Sequence, residues 1–299
     1  MNIALTQDKA VFTEGSAVAG TFILDDPFKP YLAPLLTPAG HNVVSVMPVD
    51  HRHHKGVMYA LRCTDLNFWE EPQGTEECGI QKTLDATIEN DELVLRLLWC
   101  DEAGNKETYR EERRISCRFL PGLRSFAWTW KTCREALRPH RLIKSPACRP
   151  MPDGRRINYH GLGVRLTWPW AFPGDAFSGI EMGGKPVTAE QASGTAVPDV
   201  TFWGRFDGFW QTPYGAVTVR QRHGFGWYIM KDGFSYIATG PSALEEIDVA
   251  SGQNFRESYE IIVADRDGRT PQGISKDVRI LRRESRKNFV DSSDSPINS

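Results

Sequence analysis

The sequence predicts an all-β protein, a large antiparallel β-sandwich, and three features of it carry that prediction. Short runs of alternating apolar and polar residues recur along the chain, Gly, Pro and Asp separate them, and helix-period segments are almost absent. The clearest run is a meander. Glu92 to Cys100 reads as a strand, Glu102-Ala103-Gly104-Asn105 as a turn, and Glu107 to Phe119 as the returning strand. Arg124 to Thr132 follows, with Phe126, Trp128 and Trp130 on one face by strict alternation, as in a half-buried strand. Further strands are expected at Gly163–Trp168, Ala216–Gln221, Gly226–Met230, Ser235–Ala238, Leu244–Ala250 and Ser258–Ala264. Gln272 to Lys287 has the charge and length of a C-terminal helix, weakened at its start by Gly273. Residues 1–280 are read as one sandwich domain and 281–299 as a polar tail.

Composition narrows the function classes. A chain of 299 residues with 40% hydrophobic residues, 9 Trp, 15 Phe and 8 Tyr has enough apolar material for a substantial core. Its 36 basic and 38 acidic side chains give a formal charge of -2, without the positive field that a phosphate backbone attracts, so no nucleic-acid partner is expected. No apolar stretch approaches the roughly 20 residues needed to span a bilayer. The first 15 residues are interrupted by Gln7, Asp8, Lys9, Thr13 and Glu14, unlike a signal peptide. A soluble cytoplasmic protein without membrane contact is the expectation. Six cysteines without a C-x-x-C pair fit reduced, mostly buried thiols, and Cys100 and Cys117, flanking the hairpin, are candidates for proximity.

The chemistry concentrates in Asp50-His51-Arg52-His53-His54-Lys55-Gly56, where three of the seven histidines fall within four positions. In an extended segment His51 and His53 share a face and His54 points away. Imidazole suits acid–base work because its unperturbed pKa, about 6.5, lies near operating pH. Asp50 can fix a tautomer, Lys55 can hold an anionic or carbonyl oxygen, and Gly56 can let the backbone approach a ligand. A solvated polar turn is the alternative reading. Asn67-Phe68-Trp69-Glu70-Glu71 then pairs an aromatic surface with carboxylates, an arrangement suited to a sugar's apolar face and hydroxyls, or equally to a core pair beside exposed charges. His160 and Arg165, at the head of an expected strand, and Glu245 or Glu246, after a turn, complete the candidates; His41 and His223 read as loop histidines. Gly161-Leu162-Gly163 leads into a strand and not a phosphate-binding helix, and no G-x-S-x-G elbow is present.

Several of these segments, with Pro27-Phe28-Lys29-Pro30-Tyr31, Leu35 to His41 and His160 to Arg165, resemble the PmoA-like family often labelled "methane oxygenase PmoA" over roughly residues 20 to 265. The Asp-His-x-His-His-[Lys/Arg]-Gly run is the most specific element. Asn158-Tyr159-His160 departs from the family's pattern, where a charged segment is more usual. The resemblance implies a soluble β-protein found beside sugar-type oxidoreductases in carbohydrate catabolism, with a sandwich of the galactose mutarotase type.

The expected function is therefore a carbohydrate-active enzyme of lyase, hydrolase or epimerase type acting on a sugar or keto sugar. His51, His53, His54, His160 and Glu245 are its catalytic candidates, and Asp50, Lys55, Trp69, Glu70 and Arg165 its substrate-binding ones. Two alternatives stand beside it: an enzyme using His51 and His53, with Glu70 or His160, as ligands of a divalent metal, and a non-catalytic carbohydrate-binding protein.

Overall fold

The computed structural model describes residues 1–72, 77–151, 153–171, 178–206 and 213–267. The expected C-terminal helix, the boundary at 280 and the polar tail lie outside them. Among the described residues two large antiparallel sheets dominate. The first has eight strands in the order Asn2–Leu5, Lys9–Glu14, Ala17–Ile23, Tyr31–Leu35, Val57–Ala60, Gly161–Arg165, Tyr236–Thr239, Trp227–Met230. The second has nine: Lys185–Val187, Ser178–Met182, Asp199–Arg205, Pro213–Gln221, Asn254–Asp267, Ser125–Ala136, Tyr109–Leu120, Glu92–Asp101, Gly79–Glu89. The protein is all-β, as its turn-punctuated alternation predicts. The only α-helix among the described residues is Ala189–Ala192, closed by a capping box between Thr188 and Gln191.

The sheets pack face to face through the alternating aromatics. Phe126, Trp128 and Trp130 are each 1% exposed. The Trp128 ring sits 4.9 Å from Phe12 and the Trp130 ring 5.6 Å from Phe22, both on the first sheet. Burial of such side chains is the main favourable contribution to the fold, about 1.5–3 kcal/mol each. A polar seam also joins the sheets: Tyr59 donates to both carboxylate oxygens of Glu257, which also pairs with the fully buried Arg134.

The meander forms as expected, with Trp99 opposite Tyr109 across the hairpin. Cys100 and Cys117 do not meet. Cys100 pairs with Ile80 next to the turn, while Cys117 lies eight residues beyond Tyr109, about 27 Å along its strand; all six cysteines are free. Two expected strands are shorter than the sequence suggests. Gly163–Trp168 gives way after Arg165 to a 3₁₀ turn at Trp168–Ala171, and only Ile247–Val249 of Leu244–Ala250 is extended. Among the described residues no helix is long and apolar enough to cross a membrane.

Candidate functional site

The three central strands of the first sheet, Val57–Ala60, Gly161–Arg165 and Tyr236–Thr239, position the candidate site. Their pairing and alternation turn Val57, Tyr59, Leu162, Val164 and Ile237 toward the second sheet. Met58, Gly163, Arg165, Tyr236 and Ala238 face the opposite way, and the histidine run folds over this outer face.

That run is not extended. Val46 bridges to Lys55, and Met47 donates to the His54 carbonyl at 2.7 Å, forming a hairpin whose tip is closed by His51 donating to Pro48 and His54 to His51. The tight turn removes the alternation expected of a strand, so all three imidazoles converge. Ring centroids are 4.7 Å apart for His51–His54, 4.6 Å for His53–His54 and 5.7 Å for His51–His53. The left-handed Gly56, with φ of 58°, brings the chain against Leu32, whose carbonyl oxygen would lie 2.5 Å from an added Cβ. Gly56 thus serves chain packing and not ligand approach.

Arg165 organises the cluster. It is 1% exposed, donates to Asp50 Oδ2 at 2.7 Å and to His54 Nδ1 at 3.1 Å, and lies 4.3 Å from the Phe234 ring centroid. An arginine can only donate, so His54 Nδ1 must accept and a neutral His54 carries its proton on Nε2. His54 is sandwiched between His51 and Tyr236, the latter at 4.8 Å and 9°. Asp50 Oδ2 accepts a second bond from His51 Nδ1 at 2.8 Å, which fixes the tautomer expected from the sequence and leaves His51 Nε2 for other partners. With both its terminal nitrogens engaged and almost no exposure, Arg165 holds Asp50 and His54 in place.

The Asn67–Glu71 segment is held from below. The Asn67 side-chain oxygen accepts from the backbone of Trp69 and Glu70, both at 3.0 Å. Lys29, 0% exposed, donates to the carbonyls of Phe68 at 3.2 Å and Trp69 at 2.7 Å and pairs with Glu71 at 2.8 Å. Lys55 shares Glu71 at 3.0 Å and reaches Asp26 at 2.5 Å. Lys55, expected to hold a substrate oxygen, is 2% exposed and ties the histidine hairpin to the Trp69–Glu71 loop. Trp69 is also corrected. At 0% exposure, packed against Tyr159, His160 and Tyr236, it forms the floor of the site and not an open platform.

Close approach of that floor requires Gly163, where an added Cβ would meet Tyr236 Oη at 2.0 Å and Trp69 at 2.8 Å. Gly163→Ala is expected to cost about 1–3 kcal/mol, read as a lower urea midpoint with the displaced Tyr236.

Glu70 stands at the edge of the floor, 22% exposed. It accepts from Tyr159 Oη at 2.9 Å, and His160 Nε2 lies 3.6 Å away. Burial works to raise its pKa, but His160, then Tyr159 and Arg62, outweigh that and hold the carboxyl well below the usual range. His160 is 0% exposed and its Nδ1 accepts from Asn158 at 3.1 Å, which turns its Nε2 toward Glu70. Burial lowers its pKa, against the pull of Glu70. His53 is half-buried, and burial, then the Lys29 charge, depresses its pKa to about 4. His54 is pushed down by burial and then by the neighbouring histidines and Arg165. Asp50 stays low because Arg165 and His51 outweigh its burial. At neutral pH the site therefore offers two uncharged imidazoles, a third oriented by Asp50, and an ionised carboxylate.

Glu245 does not join them. It is exposed on the loop before Ile247–Val249, and its neighbour Glu246 pairs with Arg141 at 3.2 Å. His41 stacks on Phe206, and His223 Nε2 accepts from the Ser258 backbone, both away from the cluster. No group of three or more His, Cys, Asp or Glu among the described residues is arranged to hold a metal ion. His51 and His53 pack as rings, with the cationic Arg165 one residue away through Asp50. Sequence reasoning missed Lys29, Tyr159 and Tyr236. Lys29 alone had a local signal, a lysine between Phe28 and Pro30 in an otherwise apolar stretch.

A family model described as a family of unknown function (DUF6807) matches residues 18–277. This replaces the resemblance to the PmoA-like family, which rested on short segments where the model spans most of the chain. No curated protein matches the sequence significantly. Among solved structures, the chain is similar to the GH36 α-galactosidase AgaB from Geobacillus stearothermophilus (TM-score 0.42, 8% identity, 89% of this chain and 41% of that one). It is similar also to galactose 1-epimerase from Lactobacillus acidophilus NCFM (TM-score 0.40, 10% identity, 88% and 100%). A third is a galactose mutarotase related enzyme from Lactobacillus acidophilus (TM-score 0.38, 7% identity, 90% and 99%). The chain spans about two fifths of the length of the α-galactosidase.

Proposed function

The chain belongs to DUF6807, a family of unknown function, so its activity has to be read from the site, and we propose that it is a carbohydrate-active enzyme working by histidine acid–base chemistry. One observation carries this reading: His51, oriented by Asp50, packs 5.7 Å from the uncharged His53, whose ring feels the charge of the ionised Glu70. Proton transfer at two positions of one substrate is the shared requirement of ring opening, elimination beside a keto group and glycosidic cleavage. His51, its Nδ1 held by Asp50, presents Nε2 for proton transfer with a substrate. His53, neutral at operating pH, and Glu70 suit acceptor roles. Tyr159 and Phe234, both half-buried, give the rings on which a sugar's apolar face can rest.

The test is a panel of hexoses, hexuronates, keto sugars and glycosides followed by NMR for anomer exchange, elimination or cleavage. Turnover is expected to fall by about 10²–10⁴ in His51→Ala and in His53→Ala, with circular dichroism unchanged. Turnover that persists in both variants rejects the reading. Sugar binding without turnover, surviving loss of all three histidines, assigns the chain to the binding proteins instead.

A further inference from the structure

Resting on that reading, we propose that the sugar this site takes is electrically neutral, a polyol ring and not a sugar acid or sugar phosphate. The inference comes from how the charges around the site are matched. Four buried or half-buried cations surround it, Lys29, Lys55, Arg62 and Arg165, and Asp26, Asp50, Glu70, Glu71 and, on Arg62, Glu77 meet them. Lys29 and Lys55 are sealed beneath the floor, each paired at 3.0 Å or closer. Arg165 has given its terminal nitrogens to Asp50 and His54. All three are at most 2% exposed, so none presents its charge at the surface of the site.

Arg62 is the exception in geometry. It is 20% exposed and its partners are distant, Glu70 at 3.9 Å and Glu77 at 3.8 Å. An anionic group approaching it must also approach Glu70, a partly exposed carboxylate 3.9 Å away. Recognition of a carboxylate or phosphate requires a fork of donors free of competing negative charge, and the ionised Glu70 lies 3.9 Å from that of Arg62. Arg52, exposed on the hairpin tip between His51 and His53, carries a charge screened by water.

What the site does present fits hydroxyls. Uncharged His53 offers one donor and one acceptor, His51 Nε2 stays available beside Asp50, and Glu70 accepts only. A hydroxyl both donates and accepts, so a polyol satisfies this set without bringing an uncompensated charge into a half-buried space.

The proposal is tested by titration calorimetry at pH 7.5 with methyl hexopyranosides, hexuronates and hexose 6-phosphates, each at low and high salt. Neutral sugars are expected to bind more than about tenfold tighter than either anionic class, with an affinity indifferent to salt. In Glu70→Gln, Arg62 is released, and the preference for neutral sugar over hexuronate is expected to shrink by about tenfold. Tighter binding of hexuronate or phosphate by the unaltered protein overturns the proposal, as does a selectivity unchanged in Glu70→Gln. A neutral sugar bound but turned over equally by the histidine variants rejects only the histidine acid–base reading. A protein that binds no sugar of any class overturns both.

Discussion

Lowering the pH from 7.5 to 4 is expected to remove about 3 kcal/mol of stability through His53 alone, since one unit of pKa shift is worth about 1.4 kcal/mol. Burial, followed by the Lys29 charge, holds the His53 pKa at about 4, against about 6.5 in the unfolded chain. The depressed value sets the sign. Above pH 6.5 both states carry a neutral imidazole and the full stability is present. As pH falls toward 4 the unfolded chain takes up a proton that the folded one refuses, and stability is lost until the folded group also titrates. His54 and His160, shifted in the same direction by burial, add to the loss. Glu70, held low in the fold, adds more as pH falls below the usual carboxylate range. Urea midpoints measured across this range should show the decline beginning near pH 6.5, with a shallower slope in His53→Gln. A flat profile down to pH 5 contradicts the burial of the cluster.

Lys29→Met should be among the most damaging single substitutions, costing about 3–5 kcal/mol, because removal of one partner leaves a buried charge uncompensated. Lys29 Nζ has three contacts, all on the Phe68–Glu71 loop, and the variant strands two carbonyls and half of the pairing of Glu71. Adding Glu71→Gln should recover part of the loss, giving a coupling energy in a double-mutant cycle. A second consequence reaches the site. With the Lys29 charge gone, the His53 ring pKa, followed by NMR, is expected to rise from about 4 toward its ordinary value. A loss of stability with His53 unmoved would mean that Lys29 supports the fold without acting on the cluster.

Legibility differed between the fold and the site for a physical reason. The meander could be read because alternation at Phe126, Trp128 and Trp130 is local, a period fixed by the geometry of one strand. The N-terminal strands Asn2–Leu5, Lys9–Glu14 and Ala17–Ile23 gave a weaker signal, since apolar residues such as Ala4 and Val11 stand on their less buried face as well. In the site, Asp50, His51, His53 and Glu70 were identifiable as chemistry-bearing types in short runs. Their roles were not. Whether a lysine such as Lys55 faces substrate or is sealed under a loop depends on Asp26 and Glu71, 29 residues before it and 16 after it in the sequence.

The sequence by itself determined that this is an all-β protein with its titratable groups gathered in Asp50–His54 and Asn67–Glu71, because composition, alternation and clustering are properties of neighbouring residues. Only the tertiary structure decided that the histidine run is a hairpin and not a strand, that His54 joins His51 and His53, and that Lys55, Trp69, His160 and Arg165 support the site from within. Those outcomes follow from pairings such as Arg165 with Asp50 and Lys29 with Glu71, whose partners meet only when distant strands assemble into one sheet.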